Sequence, residues 1–198
     1  MVQATIPDDD TDRLSPWLWA GATLLALATL TLALRPAGSV FLIPLSEDGY
    51  YALSIARNIA TGHGITIDGV TATNGFQPLF TFIQAAMFTV AGGDDALAVR
   101  LILALHWLCQ LGAALTVGEI AGDAVPGGRP GLRRALASFF WLAGTYLFLF
   151  HFNGLETGLL LFLLALAWRQ VQRSRTESWG GLAGLGLVAW RRRKANVE

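Results

Sequence analysis

An all-α integral membrane protein, with about four to five transmembrane helices and an outer-face loop carrying juxtamembrane helices, is the fold this sequence predicts. Three observations predict it. The 198 residues are 54% hydrophobic and only 14% charged, with a mean hydropathy of +0.50, a composition that belongs to membrane chains rather than soluble domains. Long uncharged runs recur, residues 17–34 and 135–150 among them. Six of the fourteen basic residues lie in two segments beside those runs, Arg129 to Arg134 and Arg169 to Arg175, as the positive-inside rule expects of cytoplasmic loops. Fourteen basic against fourteen acidic residues leave no net charge, so nothing points to nucleic acid as a partner, and membrane lipid is the one expected. The single Cys109 rules out an internal disulfide and makes a poor thiolate metal site.

Taken in order, residues 1–15 hold Asp8, Asp9, Asp10 and Asp12 against one Arg13. This polar lead lacks the basic start and small-residue cleavage site of a signal peptide, and a disordered cytoplasmic tail is expected. Pro16 opens a helix. Residues 17–34 carry no charge and reach about 27 Å as a helix against a hydrocarbon core of roughly 30 Å. They form the first span, with Trp17 and Trp19 as interface anchors.

The outer loop, residues 36–96, follows. Ser46 is a suitable N-cap, and Glu47 and Asp48 suit the positive end of a helix dipole, so a helix over 47–60 is expected. Tyr50, Tyr51, Leu53, Ala56 and Ile59 would form its apolar side and lie along the membrane surface. Gly62 and Gly64 end it. Residues 65–68 alternate like a short extended piece, and Asn74-Gly75 is a strong turn signal. The apolar run 79–90 is short for a span and contains Thr81, Gln84 and Thr89, which fits a surface or re-entrant helix.

Residues 97–118 form the next span, although Arg100, His106 and Gln110 lie within it. The Gly/Pro loop to Arg134 is cytoplasmic. Span 135–150 delivers residues 151–156 to the outer face, and 157–171 returns inward. Residues 178–190 are apolar but Gly-rich and reach only about 20 Å before Arg191-Arg192-Arg193-Lys194. Residues 176–198 therefore read as an incomplete last span with a basic tail, as in a truncated or frameshifted product. The plainer reading is a small protein whose last apolar piece stays at the interface. Parity closes the topology: with the acidic helix outside and Arg129 to Arg134 inside, 79–90 does not cross. Glu47, Asp48 and Glu156 then share the outer face.

The sequence has no Walker loop, zinc-ligand spacing or nucleophile elbow. His63, between two glycines, reads as a turn residue and His106 as a neutral side chain bonded to a neighbouring helix. His151 with Glu156 is a poor ligand set by itself, so no metal site is expected.

Four segments, Glu47 to Asn58 (EDGYYALSIARN), Gly75 to Phe80 (GFQPLF), Arg100-Leu101 and Asn153 to Leu160 (NGLETGLL), together resemble the GT-C class of polytopic membrane glycosyltransferases. That class includes protein O-mannosyltransferases, aminoarabinose transferases and oligosaccharyltransferase catalytic subunits. The resemblance covers roughly residues 17–175, the N-terminal portion of a family whose members run several hundred residues longer. Gln77 departs from it, standing where related sequences often have His or Pro. The resemblance implies a sugar on a polyprenyl phosphate as donor and transfer to an acceptor hydroxyl with inversion, at the outer face of a bacterial-type plasma membrane, the N-terminus being cytoplasmic. It implies Asp48 as the carboxylate that takes the acceptor's proton, Glu47 as the reserve, and Glu156 as the group that binds the acceptor, a sugar hydroxyl or a divalent cation. No cofactor beyond that cation is implied. Arg57 and Arg100 would meet the phosphate, and Asn74 and Tyr50 are further substrate-binding candidates. The alternative is a non-catalytic small membrane protein, a transporter fragment or an assembly partner.

Overall fold

Capping chemistry sets up the longest helix. Asp94 accepts from the backbone N–H of Leu97 at 2.9 Å, filling one of the orphan donors of a first turn, and the 29 residues that follow, Asp95–Asp123, run unbroken for about 43 Å. The computed structural model describes residues 14–42, 45–124 and 129–174. Within them the chain is all-helical: α1 (Leu14–Leu30), α2 (Ala37–Val40), α3 (Glu47–Ala60), α4 (Pro78–Ala91), α5 (Asp95–Asp123), α6 (Pro130–Ala143), α7 (Thr145–Phe152) and α8 (residues 157–174). Among the described residues there is no strand, only an isolated bridge between Thr66 and Ala72.

α5 is the axis on which the others pack. Its Asp95 half carries α4, which in turn carries α3; Leu53 and Ala56 of α3, Phe88 of α4 and Val99, Ile102 and Leu103 of α5 form one apolar core. Its Asp123 half carries α6 and α1, with Ala22, Ala26, Ala114 and Leu142 as a second core. Small residues let these backbones approach closely. A Cβ on Gly118 would stand 2.3 Å from Ser138 Oγ, and that hydroxyl donates to Ala114 O at 3.0 Å.

The long helices alternate in direction. Trp107 donates to Ala26 O and Arg100 to Arg35 O, so α1 is antiparallel to α5. Arg134 of α6 lies against Gly122, and Ser138 against Gly118, so α6 is also antiparallel. Phe162 lies against Gly112 and Arg169 pairs with Glu119, so α8 runs parallel to α5.

The two basic segments meet at one end. Glu119 takes Arg169 at 2.8 Å and Arg134 at 3.6 Å, and Arg134 also reaches Asp123 at 3.1 Å. Arg133 donates to Ala121 O and Gly122 O, covering the last carbonyls of α5 as basic residues commonly do.

Several expectations are corrected. The run 135–150 is not one helix: α6 begins at Pro130 and stops at Ala143, Gly144 takes an extended conformation, and α7 leaves at 64°. α1 begins at Leu14, inside the expected tail; residues 1–13 and the expected last span, 176–198, lie outside the described residues. The apolar run 17–34 leaves the α-helix after Leu30 and tightens into turns, each N–H bonding three residues back. On α3 the buried side is Gly49, Ala52, Leu53, Ile55 and Ala56, while Tyr50 and Tyr51 are exposed. Among the described residues α5 alone is long and apolar enough to cross a membrane, and α6 with α7 pass as a bent pair; α1 and α4 are shorter.

Replacing Gly118 by Val forces the α5–α6 crossing apart, and overpacking of this kind costs about 1–3 kcal/mol. Thermal unfolding of the purified chain is expected to shift down accordingly, whereas Gly131→Val, where nothing lies within 4 Å of the new Cβ, is expected to shift it far less.

Candidate functional site

The site begins at a joint between two helix starts. Ser46 caps α3, its Oγ accepting from Gly49 N at 3.2 Å and donating to Asn153 O at 3.0 Å; its own N–H donates to the same carbonyl at 3.0 Å. The loop 153–156, between α7 and α8, is thereby fastened to the N-terminus of α3. Contact is backbone on backbone. A Cβ on Gly49 would lie 2.1 Å from Asn153 O, one on Gly154 would lie 3.0 Å from Gly49 Cα, and Gly154 has φ +89°, where a side chain is strained. From the far side Gln84, fully buried, donates to Gly154 O at 2.7 Å. Asn153 Oδ1 accepts from Leu155 N at 3.0 Å, a local turn that an Asn side chain makes readily.

This joint sets Glu47 and Asp48 in the first turn of α3 and Glu156 at the start of α8, where its carbonyl accepts from Leu160 N at 2.8 Å. Both helix starts favour negative charge. Asp48 lines a cleft of about 410 Å³ together with Tyr51, Ile67, Gly75, Phe76 and Gln77. Glu156 lines a groove of about 350 Å³ whose other walls include Leu79, Leu159, Leu160 and Leu163. Phe76 and Gln77 belong to both, so they form a ridge with Asp48 on one flank and Glu156 on the other. The cleft is mixed in polarity; the groove is almost wholly apolar apart from Glu156 and Gln77.

The remaining wall of the cleft is the segment after α3. Asn58 Nδ2 donates to Thr66 O and Ile67 O, each at 3.0 Å, and Thr73 N donates to Ile65 O. The reversal is at Asp68-Gly69 rather than at Asn74-Gly75: Asp68 accepts from Val70 N, Thr71 N and Thr71 Oγ1 at 2.7–2.9 Å. Those bonds, the Thr71 N–H first among them, pull its carboxyl from 3.8 down to about 2. An Asp side chain can supply three acceptor contacts at once because both oxygens are ionised, whereas Asn74 makes no comparable clamp.

Other expected site residues lie elsewhere. Tyr50 turns away from the cleft, its hydroxyl donating to Phe41 O, and lines a smaller cavity beside Arg57 and Asp95. Arg57 is paired with Asp95 at 2.9 Å, and Arg100 donates to Arg35 O at 3.1 Å. Both guanidinium groups expected at a phosphate are thus engaged near the Asp95 end of α5 and do not line the cleft or the groove. Asn74 is exposed and adjoins Gly75, which does line the cleft. Glu47 is exposed beside Asp48. Among the described residues no three His, Cys, Asp or Glu side chains converge as a metal site; a divalent cation at Glu156 would have one carboxylate to hold it.

Gln84, Gly49 and Gly154 are the residues that sequence reasoning passes over. In sequence Gln84 only weakens an apolar run, since its partner is 70 residues away. Gly49 sits inside a helix, where glycine normally only costs stability, and that anomaly was the available signal. No family model, curated protein or solved structure matches this chain.

Gly49→Ala is expected to wedge α3 from the 153–156 loop and to destabilise the chain by about 1–3 kcal/mol, read by thermal unfolding; Gly38→Ala, which meets nothing within 4 Å, serves as the control. The Asp68 clamp gives a pH dependence of known sign. A carboxyl held lower in the folded loop stabilises it above its unfolded value of about 4 and stops doing so as pH falls through about 2. Amide exchange at Val70 and Thr71 is therefore expected to be protected at neutral pH, to lose protection only between about pH 4 and 2, and to be unprotected throughout in Asp68→Ala.

Proposed function

We propose that this chain is the membrane-embedded, carboxylate-bearing part of a GT-C-type glycosyltransferase that moves a sugar from a polyprenyl-phosphate donor to an acceptor hydroxyl. The observation that carries this reading is the ridge at Phe76 and Gln77, which divides a polar cleft holding Asp48 from an apolar groove walled by leucines. A molecule with a hydrophilic head and a hydrocarbon tail fits such a pair of cavities better than a purely polar or purely apolar one.

Embedding in a bilayer is supported by the side chains that the bundle leaves outside. Leu24, Leu108, Phe140 and Leu164 are each more than half exposed and lie on four different helices, a distribution that water disfavours and lipid accepts. The alternating directions of α1, α5, α6 with α7, and α8 suit four crossings, α3 and α4 being left on the outer face. The meeting of Arg133, Arg134 and Arg169 at the Asp123 end suits a cytoplasmic side there.

In the proposed reaction the acceptor oxygen attacks the anomeric carbon as Asp48 takes its proton, and the bond from that carbon to the phosphate oxygen breaks with inversion. The electron pair leaves on polyprenyl phosphate. No enzyme nucleophile is required. Glu156, across the ridge, would orient a hydroxyl of the sugar or hold a cation, and Gln77, common to both cavities, is the neutral donor available to the leaving phosphate. Arg57, paired with Asp95, and Arg100, bonded to Arg35 O, take no part in this step.

The test uses the full chain in lipid vesicles with a polyprenyl-phosphate sugar. Asp48→Asn is expected to keep donor binding while losing about 10²- to 10⁴-fold in transfer rate, and Leu163→Asp to weaken donor binding about tenfold by placing a charge in the groove. Transfer undiminished in Asp48→Asn, or failure of the chain to bind the lipid donor at all, would favour the non-catalytic membrane protein instead.

A further inference from the structure

A second polar feature lies inside the bundle, away from the cleft. Thr81 and Gln84 of α4, His106 and Gln110 of α5 and His151 of α7 are all at most 1% exposed. Their spacings face them together: three apart on α4 and four apart on α5, one helix surface in each case. The aromatic rings around them join the three helices. Phe80 lies 5.1 Å from the His106 ring, Phe152 lies 6.2 Å from it, and Trp141 lies edge-on to His151 at 5.9 Å.

What sets the cluster apart is that its polar atoms find nothing in the protein to bond. Thr81 Oγ1, Gln84 Oε1, both ring nitrogens of His106 and of His151, both amide atoms of Gln110 and Trp141 Nε1 are buried without a hydrogen-bond partner. Leaving one such group unsatisfied is costly, and leaving a whole cluster so is not something native interiors do. The atoms define what must bond them. Among the α4, α5 and α7 side chains they include donors and acceptors in similar number and no charged group, so what bonds them is neutral and bonds both ways, and because they lie between packed helices it is small; the one carboxylate oxygen also buried without a partner, Glu156 Oε2, belongs to a side chain that lines the groove.

We propose that this cluster is a binding site for structural waters, a short hydrogen-bonded set that bridges α4, α5 and α7. Buried waters typically make about three bonds to such groups, and the two imidazoles and the Gln110 amide can each give and take one. The set ends on Gln84, whose Nε2 holds Gly154 O while its Oε1 turns to the cluster. The waters thus stiffen the side chain that positions the 153–156 loop. This inference concerns the fold's interior and does not depend on the transfer chemistry above.

The experiment is hydroxyl-radical footprinting by X-ray pulses on the full chain in ¹⁸O water, where side chains bonded to bound water incorporate label although bulk solvent cannot reach them. Phe88 and Leu103, buried in the apolar core, are the controls. His106 and His151 are expected to label about tenfold faster than both. Gln110→Leu is expected to lower labelling at His106 about threefold with Phe88 unchanged. Histidine labelling no faster than at Phe88 would overturn the proposal, as would labelling at Phe88 as fast as at the histidines, which would signal bulk access. Should the variant fail to fold, the wild-type footprint decides alone.

Discussion

Everything at the cleft depends on one carbonyl, Asn153 O, which takes two hydrogen bonds from Ser46 and lies so close to α3 that only a glycine fits at position 49. Hydrogen bonds are individually modest, about 1 kcal/mol each. The close approach makes these matter more than their energy suggests, because it fixes the relation of two helix starts that each carry acidic side chains. Gln84 closes the arrangement from inside the core, so that the loop is held between a helix terminus and a buried amide.

The rest of the molecule positions that joint. α5 supplies a rigid axis, and the chain uses its halves differently. The Asp123 half is packed through small residues and ends in an ion network of Glu119, Asp123, Arg134 and Arg169. Such partly exposed pairs add little stability singly but fix which helix ends meet. The Asp95 half is covered by α3 and α4, with larger apolar side chains and the pairing of Arg57 with Asp95.

How much of this was legible beforehand follows from the range of the interactions. The α3 boundaries, 47–60, were readable because Ser46, Glu47 and Asp48 act within one turn. The Asp68-Gly69 reversal is also local, yet by composition Asn74-Gly75 is the stronger turn signal. Asp68 prevailed because Thr71 supplies it with both an N–H and a hydroxyl, a pairing that propensity alone does not weigh. The ridge at Phe76 and Gln77 was out of reach, since its two flanks come from residues 48 and 156. Arg57 and Arg100 looked available for a phosphate because their partners, Asp95 and the Arg35 carbonyl, are 38 and 65 residues distant.

The 64° break at Gly144 has a larger effect than its size suggests. A straight rod from Pro130 onward would carry its far tip along the axis of α6. Because the rod is snapped, the tip swings sideways and comes to rest on a segment 107 positions earlier in the chain. One peptide's orientation thus determines whether the early acidic helix and the late acidic loop become neighbours, and any change that straightened this elbow would dissolve the site without touching a residue in it.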